Sequence, residues 1–143
     1  MRKTGGLMLL LTVVMMVGCN TTTHETKAKD LFVYYAIGSS WAATYTILDG
    51  GETFFDSLYI QNLDPAVSGM KPIEYVLKGD GSEASSQYPQ PLQGVRSFQV
   101  STEYNKQLID LSDYEDKVYQ LTIKQDGKEE HLTLTYSGAQ GGK

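Results

Sequence analysis

From Leu31 onward short apolar runs alternate with clusters of Gly, Asp, Ser and Pro, and within the runs the apolar positions recur every second residue, the period of a strand. Trp41, Ala43, Tyr45 and Ile47 fall on one side of a strand over Trp41–Leu48. Asp49-Gly50-Gly51-Glu52 follows as a turn, because glycine accepts the positive φ of hairpin loops, and Thr53–Gln61 returns as the next strand. Ile73, Tyr75 and Leu77 oppose Glu74, Val76 and Lys78 along Ile73–Lys78, and Arg96–Ser101 carries Phe98 and Val100. Val118–Gln125, Asp126-Gly127 and Lys128–Tyr136 form the clearest hairpin, with Tyr119/Leu121/Ile123 and Leu132/Leu134/Tyr136 facing inward. Leu31–Ile37 is apolar throughout and reads as a strand buried on both faces.

Seven candidate strands without intervening helices predict an all-β chain, arranged as a two-sheet antiparallel β-sandwich around one core, with a small β-barrel as the alternative. Trp41 is the expected central plug. Gly79–Gly94, which contains Pro89 and Pro91, reads as a sixteen-residue connection, and the Gly-rich Ser137–Lys143 as a fraying end.

The residues before the strands have another texture. Arg2 and Lys3 precede an eleven-residue stretch, Leu7–Val17, with Thr12 as its single polar member. At about 1.5 Å per helical residue this covers roughly half of a ~30 Å hydrocarbon core, which suits a secretory signal better than a permanent span. The stretch ends Met16-Val17-Gly18-Cys19, and here the chain resembles the bacterial lipoprotein signal, with Met16 where Leu is usual. The resemblance implies cleavage after Gly18, diacylglyceryl modification of Cys19 on sulfur and acylation of the new amino group. Two or more acyl chains anchor stably, because each buried methylene is worth about 0.8 kcal/mol. Asn20–Lys29 is polar without periodicity and reads as a tether, so the expected organisation is signal 1–18, lipidated Cys and tether 19–30, strand domain 31–137 and tail 138–143.

The order Trp41-x-x-x-Tyr45-x-Ile47, Ile73-x-Tyr75-x-Leu77-x-Gly79 and Val118-x-x-Leu121-x-Ile123 before Leu132-x-Leu134 resembles small lipoproteins of Gram-positive bacteria with an immunoglobulin-like body. The likeness covers roughly residues 40–136 by pattern and brings no established activity or active site.

A chain of 143 residues has room for one domain, and 12 Lys+Arg against 17 Asp+Glu leave a formal charge of −5. Nucleic acid is therefore a poor partner, and loss of residues 1–18 makes the remainder more acidic still, so lipid on Cys19 rather than the protein surface is expected to hold it to the membrane. One Cys excludes an internal disulfide and a multi-thiolate zinc site, and two His exclude a three-His site. No cofactor is implied, because no nucleophile elbow, zincin helix, phosphate loop or dinucleotide fingerprint occurs.

His24 lies in the tether, and His131 is out of phase with Leu132 and Leu134, so both read as solvated. Asp110, Asp113, Glu115 and Asp116 place four carboxylates in seven residues; Asp113, Glu115 and Asp116 are the weak candidates for a cation or for metal-assisted or carbohydrate chemistry, should they converge. Gly79-Asp80-Gly81-Ser82-Glu83 reads as a turn with a fainter cation signal. Seven of the ten tyrosines fall in strands; Tyr88, Tyr104 and Tyr114 fall outside them and are the candidate binding residues. The expectation is a lipid-anchored, non-enzymatic module on the outer side of a cell membrane, presenting loops to an envelope protein or polymer. The alternatives are an envelope enzyme built on the acidic residues and a purely structural spacer.

Overall fold

The computed structural model describes residues 30–65, 71–79, 81–108 and 110–139. The proposed signal, Gly18, Cys19, the tether with His24, and Asp80 lie outside the described residues. The strands are β1 (Leu31–Ile37), β2 (Trp41–Asp49), β3 (Thr53–Asn62), β4 (Glu74–Gly79), β5 (Ser82–Ser85), β6 (Ser97–Asn105), β7 (Val118–Gln125) and β8 (Lys128–Ala139). A single 3-10 turn at Lys106–Leu108 follows β6.

All eight strands join one antiparallel sheet in the order β5-β4-β7-β8-β1-β2-β3-β6. The sheet is strongly curled. β4 and β6 stand six strand spacings apart, about 29 Å in a flat sheet, yet the rings of Tyr75 on β4 and Phe98 on β6 have centroids 5.3 Å apart. The architecture is therefore a half-barrel wrapped around one core, and the expected two-sheet sandwich is corrected. Apart from β5, the strands of each four-strand half, β5-β4-β7-β8 and β1-β2-β3-β6, carry the alternation expected of a separate sheet. The β1–β8 ladder makes them continuous. Period-two patterning states which face is buried but not which strand is the neighbour. Among the described residues no ladder joins β5 to β6, so the barrel of the alternative reading is left open along that seam.

The inward faces follow the sequence pattern. Trp41, Ala43, Tyr45 and Ile47, Ile73, Tyr75 and Leu77, Tyr119, Leu121 and Ile123, and Leu132 and Leu134 are all buried, while Tyr136 is half-buried. Trp41 opens β2 and sits at one end of the half-barrel, rather than serving as a central plug. Both turn residues of the last hairpin have positive φ, 52° at Asp126 and 75° at Gly127, as a type I′ turn requires.

Three expectations fail for identifiable reasons. β1 is buried on one face only: Phe32 and Tyr34 point inward, whereas Tyr35 and Ile37 are exposed, because a single curled sheet has only one inner side. Strand pairing does not stop at Ser137: β8 pairs with β1 to Ala139 through a register shift that leaves Ser137 as an extra residue between Tyr136 and Gly138, and residues 140–143 lie outside the described residues. The sixteen-residue connection contains β5, whose four side chains are all exposed and so show no alternation. Beyond β5 the chain is tied by reciprocal backbone bonds between Ile73 and Gln90, and Leu92 is buried in the core. The stretch from Lys106 to Lys117 links β6 to β7 at the other end of the half-barrel, its Tyr114 ring packed 4.5 Å from Phe32 and 5.2 Å from Tyr136 between centroids.

Candidate functional site

Phe54, Asp56, Leu58 and Ile60 form the inner row of β3, so a carboxylate occupies a position that the alternation assigns to the core. Asp56 is buried and is held by hydrogen bonds. Tyr45 Oη donates to its Oδ2 at 2.8 Å and the backbone N–H of Thr102 donates to Oδ1 at 2.9 Å, with the Tyr104 phenol on the same side of the carboxylate. Such bonds are required where burial would otherwise leave the charge unsolvated. Burial pushes the Asp56 carboxyl above its ordinary value, while the bonds from Tyr45, Thr102 and Tyr104 oppose that rise.

Further phenols converge on this carboxylate. Burial and then the Asp56 charge push Tyr45 far above the ordinary tyrosine range, and the same two causes in the same order raise Tyr75 and Tyr104. These phenols therefore remain protonated hydrogen-bond donors at neutral pH. Tyr119 packs against Tyr45 with ring centroids 4.8 Å apart and planes inclined at 60°.

A cavity of about 190 Å³ opens beside this group where the seam is unclosed. Its floor is Tyr45 and Tyr119, its walls are Leu77 and Tyr104, and its rim is formed by Ser82, Glu83 and Ala84 of β5 opposite Leu108. Gly79 shapes the floor: a Cβ there would lie 2.3 Å from Cδ1 of Tyr119, so only glycine admits the ring in this position. Lys78 pairs with Glu83 at 3.1 Å, and Lys106 reaches Asp49 at 2.6 Å while lying 5.0 Å from the Phe54 ring centroid.

The sequence candidates separate. Tyr104 belongs to β6 rather than to a loop, and it lines the cavity. Tyr114 is half-buried among aromatic rings, and its carbonyl accepts from Tyr34 Oη at 3.0 Å, so it serves packing. Tyr88 is 69% exposed and is not among the residues that line the cavity, and its Oη lies 3.4 Å from Gln87 Oε1. Asp110, Asp113, Glu115 and Asp116 are exposed; the Asp110 carboxylate caps Ser112 N at 2.8 Å, and the backbone carbonyl of Asp113 accepts from the Asp116 N–H at 3.0 Å. Among the described residues no three His, Cys, Asp or Glu gather closely enough to hold a metal ion, so Asp113, Glu115 and Asp116 do not converge. His131 is exposed, as its phase implies, with Nδ1 3.0 Å from Thr122 Oγ1 and Nε2 3.1 Å from Glu129.

A second, more polar recess of about 450 Å³ lies at the Trp41 end, bounded by Ser39, Ser40, Asn62 and Glu130. Of the carboxylates that line it, Glu130 is engaged structurally, because it accepts from Ser39 Oγ at 2.9 Å and from Ser40 N at 3.1 Å and so latches the β1–β2 turn to β8.

The sequence reading missed Asp56, Tyr45 and Tyr119 as site residues. The signal for Asp56 was present: a carboxylate in phase with Phe54, Leu58 and Ile60. The signal for the tyrosines was not, since an inward Tyr in a strand looks the same whether it packs or lines a cavity. Comparison with protein-family models, curated proteins and solved structures finds no match to this chain.

Proposed function

We propose that this chain is a non-enzymatic binding module of a bacterial envelope, which takes a small ligand at the β5–β6 seam and is held to the outer side of a membrane by lipid on Cys19. One observation carries the binding reading: a cavity with an aromatic floor opens at an unpaired seam, backed by a buried carboxylate. Concave sites with apolar and aromatic walls and a few fixed polar groups are the usual form of small-ligand pockets. The motif ending Gly18-Cys19 supports the anchor.

The test is a ligand-observed NMR screen of a mixed fragment set against the protein purified from membranes in detergent, repeated with Leu108→Ala and Tyr104→Ala. Fragments of some class bind the unaltered protein and weaken in both variants. A screen in which no fragment distinguishes the protein from the Tyr104→Ala variant overturns the binding reading. Mass spectrometry of the same preparation tests the anchor separately, and an unmodified Cys19 thiol overturns it.

A further inference from the structure

The chemistry of the cavity wall discriminates among small ligands. Three phenol rings, Tyr45, Tyr104 and Tyr119, line the space, and the face of an aromatic ring is the negative part of its quadrupole. The hydroxyl of Tyr45 is turned to Asp56, which leaves this donor engaged and places a carboxylate behind the rings. Glu83 adds a second carboxylate at the rim, which it shares with Lys78 at 3.1 Å.

An anion fits this wall poorly. The ammonium groups beside it are already on carboxylates, Lys78 on Glu83 and Lys106 on Asp49, and the phenol proton of Tyr45 is on Asp56. A neutral apolar group would fill the space but gain nothing from the negative charge around it. A cation with an apolar surface gains from both, because it interacts with ring faces and carboxylates without needing to strip a tightly held hydration shell. At roughly 30 Å³ for each water-sized atom, the cavity of about 190 Å³ holds about half a dozen non-hydrogen atoms.

We propose that the seam cavity is a binding site for a small free alkylammonium ion, seated on Tyr45 and Tyr119 and walled by Tyr104, with Glu83 at the rim and Asp56 behind the rings. The assignment rests on the binding reading above and adds the ligand class to it.

The experiment titrates the detergent-solubilised protein with choline and, separately, with 3,3-dimethylbutan-1-ol, its uncharged carbon isostere, following tyrosine ring resonances by NMR and heat by calorimetry. Choline binds at least tenfold more tightly than the isostere and shifts the tyrosine ring resonances. Tyr104→Ala weakens choline at least tenfold, whereas Tyr104→Phe, which keeps the ring, retains most of the affinity. Glu83→Gln lies on an exposed strand where the fold does not depend on it, and it weakens choline about threefold, as expected for one partly solvated charge. Equal or tighter binding of the isostere overturns the cation assignment and leaves the binding reading standing. Choline binding that is indifferent to both Tyr104→Ala and Glu83→Gln also overturns it, because the ion is then elsewhere. If choline fails to bind while fragments from the screen still compete at the seam, the ligand class is wrong and the pocket is not.

Discussion

The Tyr45 phenol donates to Asp56 at 2.8 Å from a diagonal position: in the β2–β3 register Tyr45 faces Leu58, and Asp56 faces Ile47. Opposite neighbours lie about 5 Å apart between Cβ atoms and diagonal ones about 7–8 Å, a gap that a side chain as long as tyrosine closes. Tyr45→Phe removes the donor and keeps the ring, leaving a buried carboxylate short of one partner. A loss of about 1–3 kcal/mol of unfolding free energy is expected, read from urea denaturation at neutral pH. A loss indistinguishable from zero means that water reaches Asp56 freely.

Asp56 also sets a pH dependence. Its carboxyl is raised in the folded chain, so between the unfolded value of about 4 and the raised value the folded state holds a proton that the unfolded state has released. Stability contributed by this group therefore grows as pH falls through that window and declines as pH rises through it. Asp110, held low chiefly by the backbone N–H of Ser112, and Asp126, held low by Lys71, act in the opposite sense. Both are present in wild type and variant, so they cancel in a difference. The stability of wild type minus that of Asp56→Asn should shift in favour of wild type on going from about pH 7 to about pH 4. A difference that is flat, or shifts the other way, contradicts the raised value.

Tyr114 and Tyr88 looked equivalent as letters, and they should behave oppositely. Tyr114 packs on Phe32 and Tyr136, so Tyr114→Ala is expected to cost about 2–4 kcal/mol. Tyr88 is exposed, so Tyr88→Ala should stay within about 0.5 kcal/mol. Thermal melts of the two variants side by side decide the matter.

Much of the strand content was legible because burial selects one face of a strand, and Trp41–Ile47, Ile73–Leu77 and the hairpin around Asp126-Gly127 obey that rule. What escaped was whatever the rule does not encode. β5 turns no residue inward to a core, and only polar and small side chains compose it, so Ser82–Ser85 left no period. The joining of two four-strand halves depends on pairing between Phe32–Tyr35 and Thr135–Ala139, about a hundred residues apart, and hydrogen-bonded partners leave little trace in side-chain pattern. The cavity depends on Gly79 and on the edge of β6 lying opposite β5. Neither is a property of a local stretch, although Asp56 in an apolar phase pointed to the strand on which the polar centre lies.

The open seam is the claim on which the cavity and its ligand depend, and amide hydrogen exchange reads it residue by residue. The Asn62 N–H donates to the carbonyl of Arg96 at 3.1 Å, and alternation along the β3–β6 ladder then turns the amides of Phe98, Val100, Thr102 and Tyr104 toward β3 and those of Gln99, Ser101 and Glu103 toward the seam. The account predicts slow exchange for the first group and fast exchange for the second. Uniform protection along β6 would contradict it, because a paired strand would then close the edge where the cavity opens.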